Sequence, residues 1–287
     1  MTSWEPHAVT TAELVDPAPV TALAALFDNG LPTPRPGDDL PPLWHWVALP
    51  RWPASSELGP DGHPARGTFL PPIDLPRRMF AGGEVLIHRP PKIGETVTRR
   101  SIVDSVTEKT GRSGRLVIVV VRTVLSGVDG VPLVEERQDL IYREAGATAS
   151  EAPAEPAGLA GAPFRRGEDG WDFATDPALL MRFSAATANP HRIHYDWPYA
   201  TRVEGYPGLV VHGPLMSLAL AEVLRLDHPS ARVARLAHRN LAPLFCGQPA
   251  RLHTEPRPGG ATLTLLGDAG PRTSLEADYH QEGTPHA

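Results

Sequence analysis

A strongly apolar helical run near the end of the chain most constrains its fold. Residues 215–224 read LMSLALAEVL and directly follow His212, Gly213 and Pro214. Proline in the first helical turn is typical of a helix start. A helix that is apolar on nearly every side must be buried, so the rest of the fold has to wrap around it. We therefore expect a central helix that starts near residue 213 and whose free backbone N–H there faces a ligand.

The most polar stretch of the chain lies shortly before this helix. Residues 189–196 read NPHRIHYD, within a candidate site that spans residues 183–214. Its chemistry-bearing side chains are Asn189, His191, Arg192, His194, Tyr195 and Asp196. A polar loop that leads into a buried helix can bring side chains and backbone N–H groups to one ligand.

Strand-like segments form two sets of four, and helical and loop sequence precedes each set. The first set comprises residues 83–88, 96–106, 115–125 and 133–143, and the second comprises 233–241, 250–256, 261–267 and 273–280. Tight turns separate the strands, so each set is predicted to be an antiparallel meander. The recurring order of helix, loop and four strands indicates an internal repeat.

The chain is predicted to divide into three parts. Residues 1–143 form the first half, 144–169 form a linker rich in Ala, Gly, Pro and Glu, and 170–287 form the second half. The first half has a short helix from residue 11 that Pro17 and Pro19 break, and a better helix at residues 20–27. A stunted helical run at 43–49 and a long loop at 50–76 follow. The predicted class is α+β, with two antiparallel sheets that each wrap a central helix and a degenerate N-terminal half.

Composition excludes several classes of protein. The net charge of -6 leaves no basic surplus for nucleic acid or an anionic membrane. No apolar run approaches the ~20 residues of a membrane span, and the first residues lack the features of a secretory signal. The single cysteine, Cys246, excludes an intrachain disulfide and reads as a buried structural thiol. We expect a soluble protein in the cytoplasm.

Most standard catalytic motifs are missing from the sequence. There is no G-x-S-x-G, Walker A, C-x-x-C or H-E-x-x-H pattern. His191 and His194 together with Asp196 could in principle hold a metal, but a strong fourth ligand is lacking. We therefore expect neither a metal nor a cofactor.

The polar loop and the helix start resemble the MaoC-like, R-specific enoyl-CoA hydratases and dehydratases. Residues 193–196 match the [IL]-H-x-D part of that signature, residues 210–215 match its [IV]-V-H-G-x-L part, and Ala200 fits the small position. More narrowly, N-x-H-R-I-H-Y-D is similar to the subgroup with mesaconyl-CoA and itaconyl-CoA hydratases and mitochondrial-type hydroxyacyl-thioester dehydratases. Segments 79–83, 94–95, 109–114, 135–136 and 141–143 also resemble the N-terminal half of those proteins.

This resemblance covers residues 40–280 or so and implies a double hotdog fold. It also implies a hydro-lyase that acts on an acyl thioester of CoA or of a carrier protein. One position departs from the family pattern. Aligned without gaps, the catalytic Asp of the family falls on Asn189, whereas a gapped alignment places it on Thr187, and neither residue carries a carboxylate.

The resemblance assigns three residues to catalysis. His194 is the expected general acid/base, because an imidazole exchanges protons near neutral pH. Asn189 would hold the reacting water or orient His194, although Asn-Pro also commonly begins a turn. Gly213 would donate its backbone N–H to the thioester oxygen, unless Gly-Pro merely starts the helix.

The remaining loop residues are candidates for substrate binding. Arg192 could bind a carboxylate or a CoA phosphate, or it could pair with Asp196 or Glu204 to stiffen the loop. His191 and Tyr195 are expected to line the pocket, Asp196 reads mainly as a structural partner, and His212 fits a cap and a catalyst equally. Four further candidates for the CoA phosphates read more readily as solvated charges: Arg77, Arg78, Lys92 and Arg99.

The sequence thus favours a hydro-lyase, with a branched C5 dicarboxylyl thioester as the first substrate to test. A hotdog thioesterase is the second interpretation, but it needs a carboxylate on the central helix, and Glu222 lies far along that helix. A non-catalytic thioester-binding protein and a tailoring dehydratase of a secondary pathway also fit. A homodimer is a possible assembly.

Overall fold

The computed structural model describes residues 4–111, 114–144 and 158–281. The first half contains β1 (Val9–Leu14), α1 (Pro17–Phe27), α2 (His45–Ala48), β2 (Arg77–Ile87), β3 (Thr96–Gly111), β4 (Gly114–Ser126) and β5 (Pro132–Arg143). The second half contains β6 (Phe164–Gly167), β7 (Gly170–Phe173), α3 (Pro177–Ala186), α4 (Gly213–Asp227), β8 (Ala231–Asn240), β9 (Ala250–Arg257), β10 (Gly260–Gly267) and β11 (Gly270–Gln281). Short helical turns lie at Ser55–Glu57, Arg192–His194 and Tyr199–Val203.

The strands form one antiparallel sheet in the order β1-β3-β4-β5-β2-β8-β11-β10-β9-β7-β6. The two expected sheets are therefore joined edge to edge, where β2 pairs with β8 and Gly83 lies opposite His238. The prediction of two simple meanders is wrong in one respect: β2 pairs with β5, and β8 pairs with β11. This order frees one edge of β2 and one edge of β8 to pair with each other.

Both halves share this strand order, and the α+β double hotdog expected from the sequence is confirmed. The second half wraps α4, in which Leu215, Leu218 and Leu220 have no exposed surface. Burial of each such leucine contributes about 1.5–3 kcal/mol. Among the residues described, no helix combines the length and the apolar character needed to cross a bilayer.

The first half lacks a counterpart of α4, as its stunted helical sequence predicts. α2 has four residues, and the long loop that follows it covers part of the sheet instead. Phe69, Leu70 and Ile73 of that loop pack against a separate apolar cluster that contains the fully buried Tyr142. Arg66 fixes the loop by donating to the carbonyl oxygens of Ile73, Leu75 and Pro76.

Two short elements differ from the prediction. Residues 9–14 form β1, where helical sequence was expected from residue 11, because alternate side chains of this segment are partly buried and its backbone pairs with β3. α1 starts at Pro17, where the Asp16 carboxylate accepts the N–H of Ala18. The hairpin of β6 and β7 begins within the predicted linker, and residues 145–157 of that linker and 112–113 of the β3–β4 turn lie outside the described residues. The division of the chain into halves and a linker stays a prediction.

Candidate active site

The start of α4 forms one wall of the site. Gly213 is the first residue of this helix, where a backbone N–H has no acceptor within the helix. A Cβ atom at Gly213 would lie 2.5 Å from Nδ2 of Asn240 and 3.3 Å from Cδ1 of Phe80. Asn240 cannot easily move, because its amide donates to the Phe80 carbonyl at 2.9 Å and accepts from the Thr273 hydroxyl at 2.8 Å. The position therefore requires glycine.

The polar loop is tied to the segment that leads into α4. The N–H of Val210 donates to the carbonyl of Ile193 at 3.0 Å. Nδ1 of His194 donates to the carbonyl of Val210 at 2.7 Å. Together these bonds hold the His194 imidazole beside His212 at the helix start.

His194 belongs to a row of four buried imidazoles. Its ring stacks on His212 with centroids 3.6 Å apart and contacts His191 edge to face at 5.4 Å. His191 in turn lies 3.9 Å from His63, which comes from the long loop of the first half. The far end of the row is Asp61, whose carboxylate accepts from Nδ1 of His63 at 3.1 Å. No sequence pattern indicated that Asp61 and His63 reach this site.

Burial keeps these imidazoles neutral. Desolvation lowers the pKa of His194 to about 4, despite the opposing effect of the Val210 carbonyl. Desolvation, assisted by the charge of Arg78, lowers the pKa of His63 to about 3. Desolvation also lowers the pKa values of His191 and His212, with further contributions from neighbouring histidines. At neutral pH the row carries no net charge of its own.

The bond to Val210 fixes the tautomer of His194. A carbonyl oxygen only accepts hydrogen bonds, so Nδ1 must carry the proton of the neutral ring. Nε2 then presents a lone pair, and it forms no hydrogen bond within the described residues. This arrangement makes Nε2 of His194 a proton acceptor, the role expected of a general base.

His212 holds the His194 ring in place. Nε2 of His212 lies 2.8 Å from the hydroxyl of Ser184, and Phe183 packs against the ring at 4.9 Å. Its side chain does not cap α4, although the residue occupies the N-cap position. Nδ1 of His212 is buried and has no partner within the described residues.

The two candidates for the position of the family carboxylate, Asn189 and Thr187, support the loop. Oδ1 of Asn189 accepts the backbone N–H of His191 at 3.3 Å, and its own N–H bonds the Ser184 carbonyl at 2.9 Å. The Thr187 hydroxyl donates back to the carbonyl of Phe183 at 2.7 Å. Nδ2 of Asn189 thus bonds none of the residues that the structure describes, whereas the Thr187 hydroxyl is engaged by its own helix.

Three predicted binding residues lie on the outer side of the loop. Nε of Arg192 lies 2.9 Å from the Asp196 carboxylate, and its guanidinium stacks over the Tyr199 ring at 4.1 Å. Asp196 also accepts the N–H of Tyr199 at 3.1 Å. Tyr195 is 42% exposed and its hydroxyl bonds the Pro190 carbonyl at 2.9 Å. The backbone N–H of Arg192 donates to the Asp61 carbonyl at 2.9 Å, at the end of the row, but its side chain pairs with Asp196 rather than with an imidazole.

The side chains at the end of the row do not fit a metal ion. Possible ligand atoms of Asp61, His63 and His191 lie within 4.8 Å of one another. However, the Asp61 carboxylate already accepts both the backbone N–H and Nδ1 of His63. The positive charge of Arg78 also lowers the pKa values of both histidines, and it would repel a second cation in the same way.

Two other candidate groups are structural. The Glu222 carboxylate, 1% exposed, accepts from Asn29 at 2.7 Å, from Trp44 at 3.2 Å and from Arg225 at 2.6 Å. It faces the first half of the protein, far along α4 from Gly213. Burial raises the pKa of the Cys246 thiol to about 12, which agrees with a structural role.

Two surface clefts differ in their relation to the site. A cleft of about 490 Å³ is lined by Asp61 and also by Tyr199, Val203 and Glu204. A larger cleft of about 740 Å³ lies near the C-terminal end of α4, beside Leu224 and His228. The smaller cleft is the one that adjoins the imidazole row.

Comparison with known proteins gives consistent matches. Residues 43–246 match the family model described as hydroxyacyl-thioester dehydratase type 2. The chain is 43% identical over 268 residues to mesaconyl-C(4)-CoA hydratase of Chloroflexus aurantiacus, covering 93% of this chain and 92% of that protein. HtdX of Mycobacterium tuberculosis is similar in structure, with a TM-score of 0.65, 22% identity and coverage of 96% and 100%. A double hotdog protein of the same organism has a TM-score of 0.57, 16% identity and coverage of 98% and 97%.

Proposed function

The chain belongs to the family of type 2 hydroxyacyl-thioester dehydratases, and on that premise we propose that it is a hydro-lyase acting on CoA thioesters. It adds water across the double bond of a 2-enoyl thioester, or removes water in the reverse direction. The observation that carries this proposal is the unprotonated Nε2 of buried His194, held beside the start of α4. These two features correspond to the base and the oxyanion site that hydration needs.

The proposed reaction begins with polarisation of the thioester. The Gly213 N–H donates to the thioester oxygen, and the positive end of the helix dipole stabilises the enolate charge that develops there. Asn189 positions a water molecule through its free amide group. Nε2 of His194 takes a proton from this water as the oxygen bonds C3, and the resulting imidazolium returns that proton to C2. Water is thereby added to one face, and no proton is gained or lost overall.

The low pKa of His194 suits both halves of this cycle. A neutral imidazole is present throughout the neutral range, so the base form is always available. The imidazolium formed in the first step is a strong acid in its buried position, which favours rapid transfer of its proton to C2. One residue therefore serves as base and as acid, without the carboxylate that the family pattern places at Asn189 or Thr187.

We further propose a branched C5 dicarboxylyl thioester as the substrate, because the relative of 43% identity is named for hydration of mesaconyl-C(4)-CoA. The thioesterase alternative lacks support, since Glu222 is occupied by Asn29, Trp44 and Arg225. A cytoplasmic location, a homodimer and an acyl-carrier substrate stay predictions of the sequence.

The test is to mix the purified protein with crotonyl-, mesaconyl- and itaconyl-CoA and to follow the enoyl absorbance together with free thiol. Loss of enoyl absorbance without thiol release supports a hydro-lyase. Thiol release would instead identify a thioesterase. Tight binding of the esters with neither change would identify a binding protein that has lost catalysis.

A further inference from the structure

Arg78 differs from the other arginines around the site, because no carboxylate or carbonyl among the described residues accepts a hydrogen bond from it. Arg66 is used by three backbone carbonyls, Arg77 pairs with the Glu204 carboxylate at 3.3 Å, and Arg192 pairs with Asp196. Arg78 forms no ion pair with any residue in the described part of the chain. A partly buried guanidinium without a paired carboxylate is costly to the fold, and a bound anion would offset that cost.

The position of Arg78 on β2 directs it toward the site. Arg78 and Phe80 are alternate residues of this strand and so lie on the same face. The Phe80 ring contacts the space directly beside Gly213, the proposed thioester oxygen site. The Cα atoms of Arg78 and Phe80 are therefore about 7 Å apart along the strand. Its charge also lowers the pKa values of His63 and His191, which places the guanidinium near the imidazole row.

The groups next to Arg78 leave its donors available. The charge of the Asp61 carboxylate acts on Arg78, but both of its oxygens already accept hydrogen bonds from His63. Burial lowers the pKa of Arg78, and the neighbouring Tyr142 hydroxyl partly offsets this effect. That hydroxyl is itself buried and completes no hydrogen bond within the described residues. An anion at this point would satisfy Arg78 and could also accept from Tyr142.

We infer that Arg78 binds the free carboxylate of a dicarboxylyl thioester and so selects this substrate class. The inference rests on the proposed function and deepens it. The thioester oxygen bonds Gly213 at one end, and the carboxylate receives the two parallel N–H donors of Arg78 at the other. The Gly213 N–H lies beside Phe80, two residues along the strand from Arg78. A four-carbon diacyl chain and the extended arginine side chain are together long enough to join these two points. Arg192, the residue that the sequence suggested for this task, is held by Asp196 on the outer side of the loop.

Arg78 could instead bind a phosphate of CoA. Two matched pairs of esters distinguish a contact with the acyl carboxylate from a contact with these phosphates. Fumaryl-CoA and crotonyl-CoA differ only in a terminal carboxylate or methyl group and report turnover. Succinyl-CoA and butyryl-CoA differ in the same way, cannot be hydrated, and report binding by calorimetry. CoA is common to all four, so a contact with its phosphates would affect both members of each pair alike.

In the Arg78→Gln variant, we expect succinyl-CoA binding to weaken by about 10- to 150-fold and butyryl-CoA binding to change by less than about twofold. kcat/KM should fall for fumaryl-CoA and persist for crotonyl-CoA. Arg78→Lys, which keeps the charge but not the paired donors, should give an intermediate loss. Arg100→Gln, at an exposed position of β3, is the matched control and should leave both pairs unchanged.

Equal losses on both members of a pair, or no loss at all, would overturn the role of Arg78. Circular dichroism and the thermal midpoint establish that the variants are folded, and Arg78→Lys decides the question if Arg78→Gln is not. Failure of the wild-type protein to hydrate any enoyl ester would refute the proposed function. The succinyl/butyryl comparison would still decide whether Arg78 binds a carboxylate.

Discussion

The imidazoles of His194 and His212 stack with their centroids 3.6 Å apart and their planes inclined by 18°. Because both rings are buried, a proton on either is opposed by desolvation, and a proton on His194 further lowers the pKa of His212. The stack therefore holds His194 in one orientation, and burial keeps the ring in its neutral form. This relationship explains how a histidine could act as a base without an adjacent carboxylate at position 189.

The pH dependence of the reaction should reflect this neutral histidine. Since the pKa of His194 is lowered to about 4, the base form persists as the pH falls through 6.5, and kcat/KM should decline only as the pH approaches 4. The measurement is a profile of kcat/KM for hydration between pH 4 and 8, restricted to the pH values at which the protein is folded. An acid limb centred near 6.5, the value of an unperturbed imidazole, would contradict the assignment.

The Gly213→Ala variant tests the helix start. The added Cβ would meet Nδ2 of Asn240 at 2.5 Å, so the start of α4 or the Asn240 amide must shift. Loss of one oxyanion donor typically lowers kcat by about 100- to 1,000-fold, and we expect an effect of that size. Gly208→Ala is the matched control, because a Cβ there meets no atom within 4 Å and the backbone is not left-handed. Equal, small effects from both variants would remove Gly213 from the mechanism.

Asn189 and Thr187 are distinguished by a pair of alanine variants. Asn189→Ala removes the free amide group and the support of the His191 N–H, so kcat should fall by about 10- to 100-fold. Thr187→Ala removes a hydroxyl that bonds only carbonyls of its own helix, so kcat should stay within about threefold. Steady-state hydration kinetics of both variants provide the measurement. The opposite ranking would favour Thr187 as the residue at the family carboxylate position.

Glu222→Gln separates a structural carboxylate from a catalytic one. Glutamine keeps an acceptor for Asn29 or Trp44 but loses the charge that pairs with Arg225. We expect the free energy of unfolding to fall by about 1–3 kcal/mol while hydration stays within about threefold of wild type. Chemical denaturation and the hydration assay measure the two effects separately. Abolished turnover in a folded variant would instead give Glu222 a part in catalysis.

Sequence reasoning predicts the parts of this fold that depend on local patterns. The apolar run at 215–224, the strands of both halves and the stunted helix of the first half are all found, because each is encoded by its own periodicity. The pairing of β2 with β5 and β8 was missed, since strand neighbours in a hotdog are not neighbours in sequence. The sequence of β1 predicts a helix only weakly. Its six residues form a strand instead, because their pairing with β3 outweighs this local propensity.

The candidate site also combines features that local sequence predicts with features that only the tertiary fold determines. The motif around His194 and Gly213 predicts their proximity, and Val210 supplies the bond that joins the two segments. Arg192 and Tyr195 share the motif but face outward, which only the turn geometry decides. Asp61, His63 and Arg78 lie more than 100 residues earlier, and only the path of the long loop and the register of β2 bring them to the row.

The most direct test of the account is the rate of hydration by the His194→Gln variant. Glutamine can retain a polar side chain near the Val210 carbonyl but offers no imidazole base, so the loss of enoyl absorbance should slow by about 100- to 10,000-fold. His88→Gln replaces a histidine whose side chain is 48% exposed, and it should match the wild-type protein. A folded His194→Gln protein that hydrates the enoyl ester within a few-fold of the wild-type rate would contradict the central role of His194.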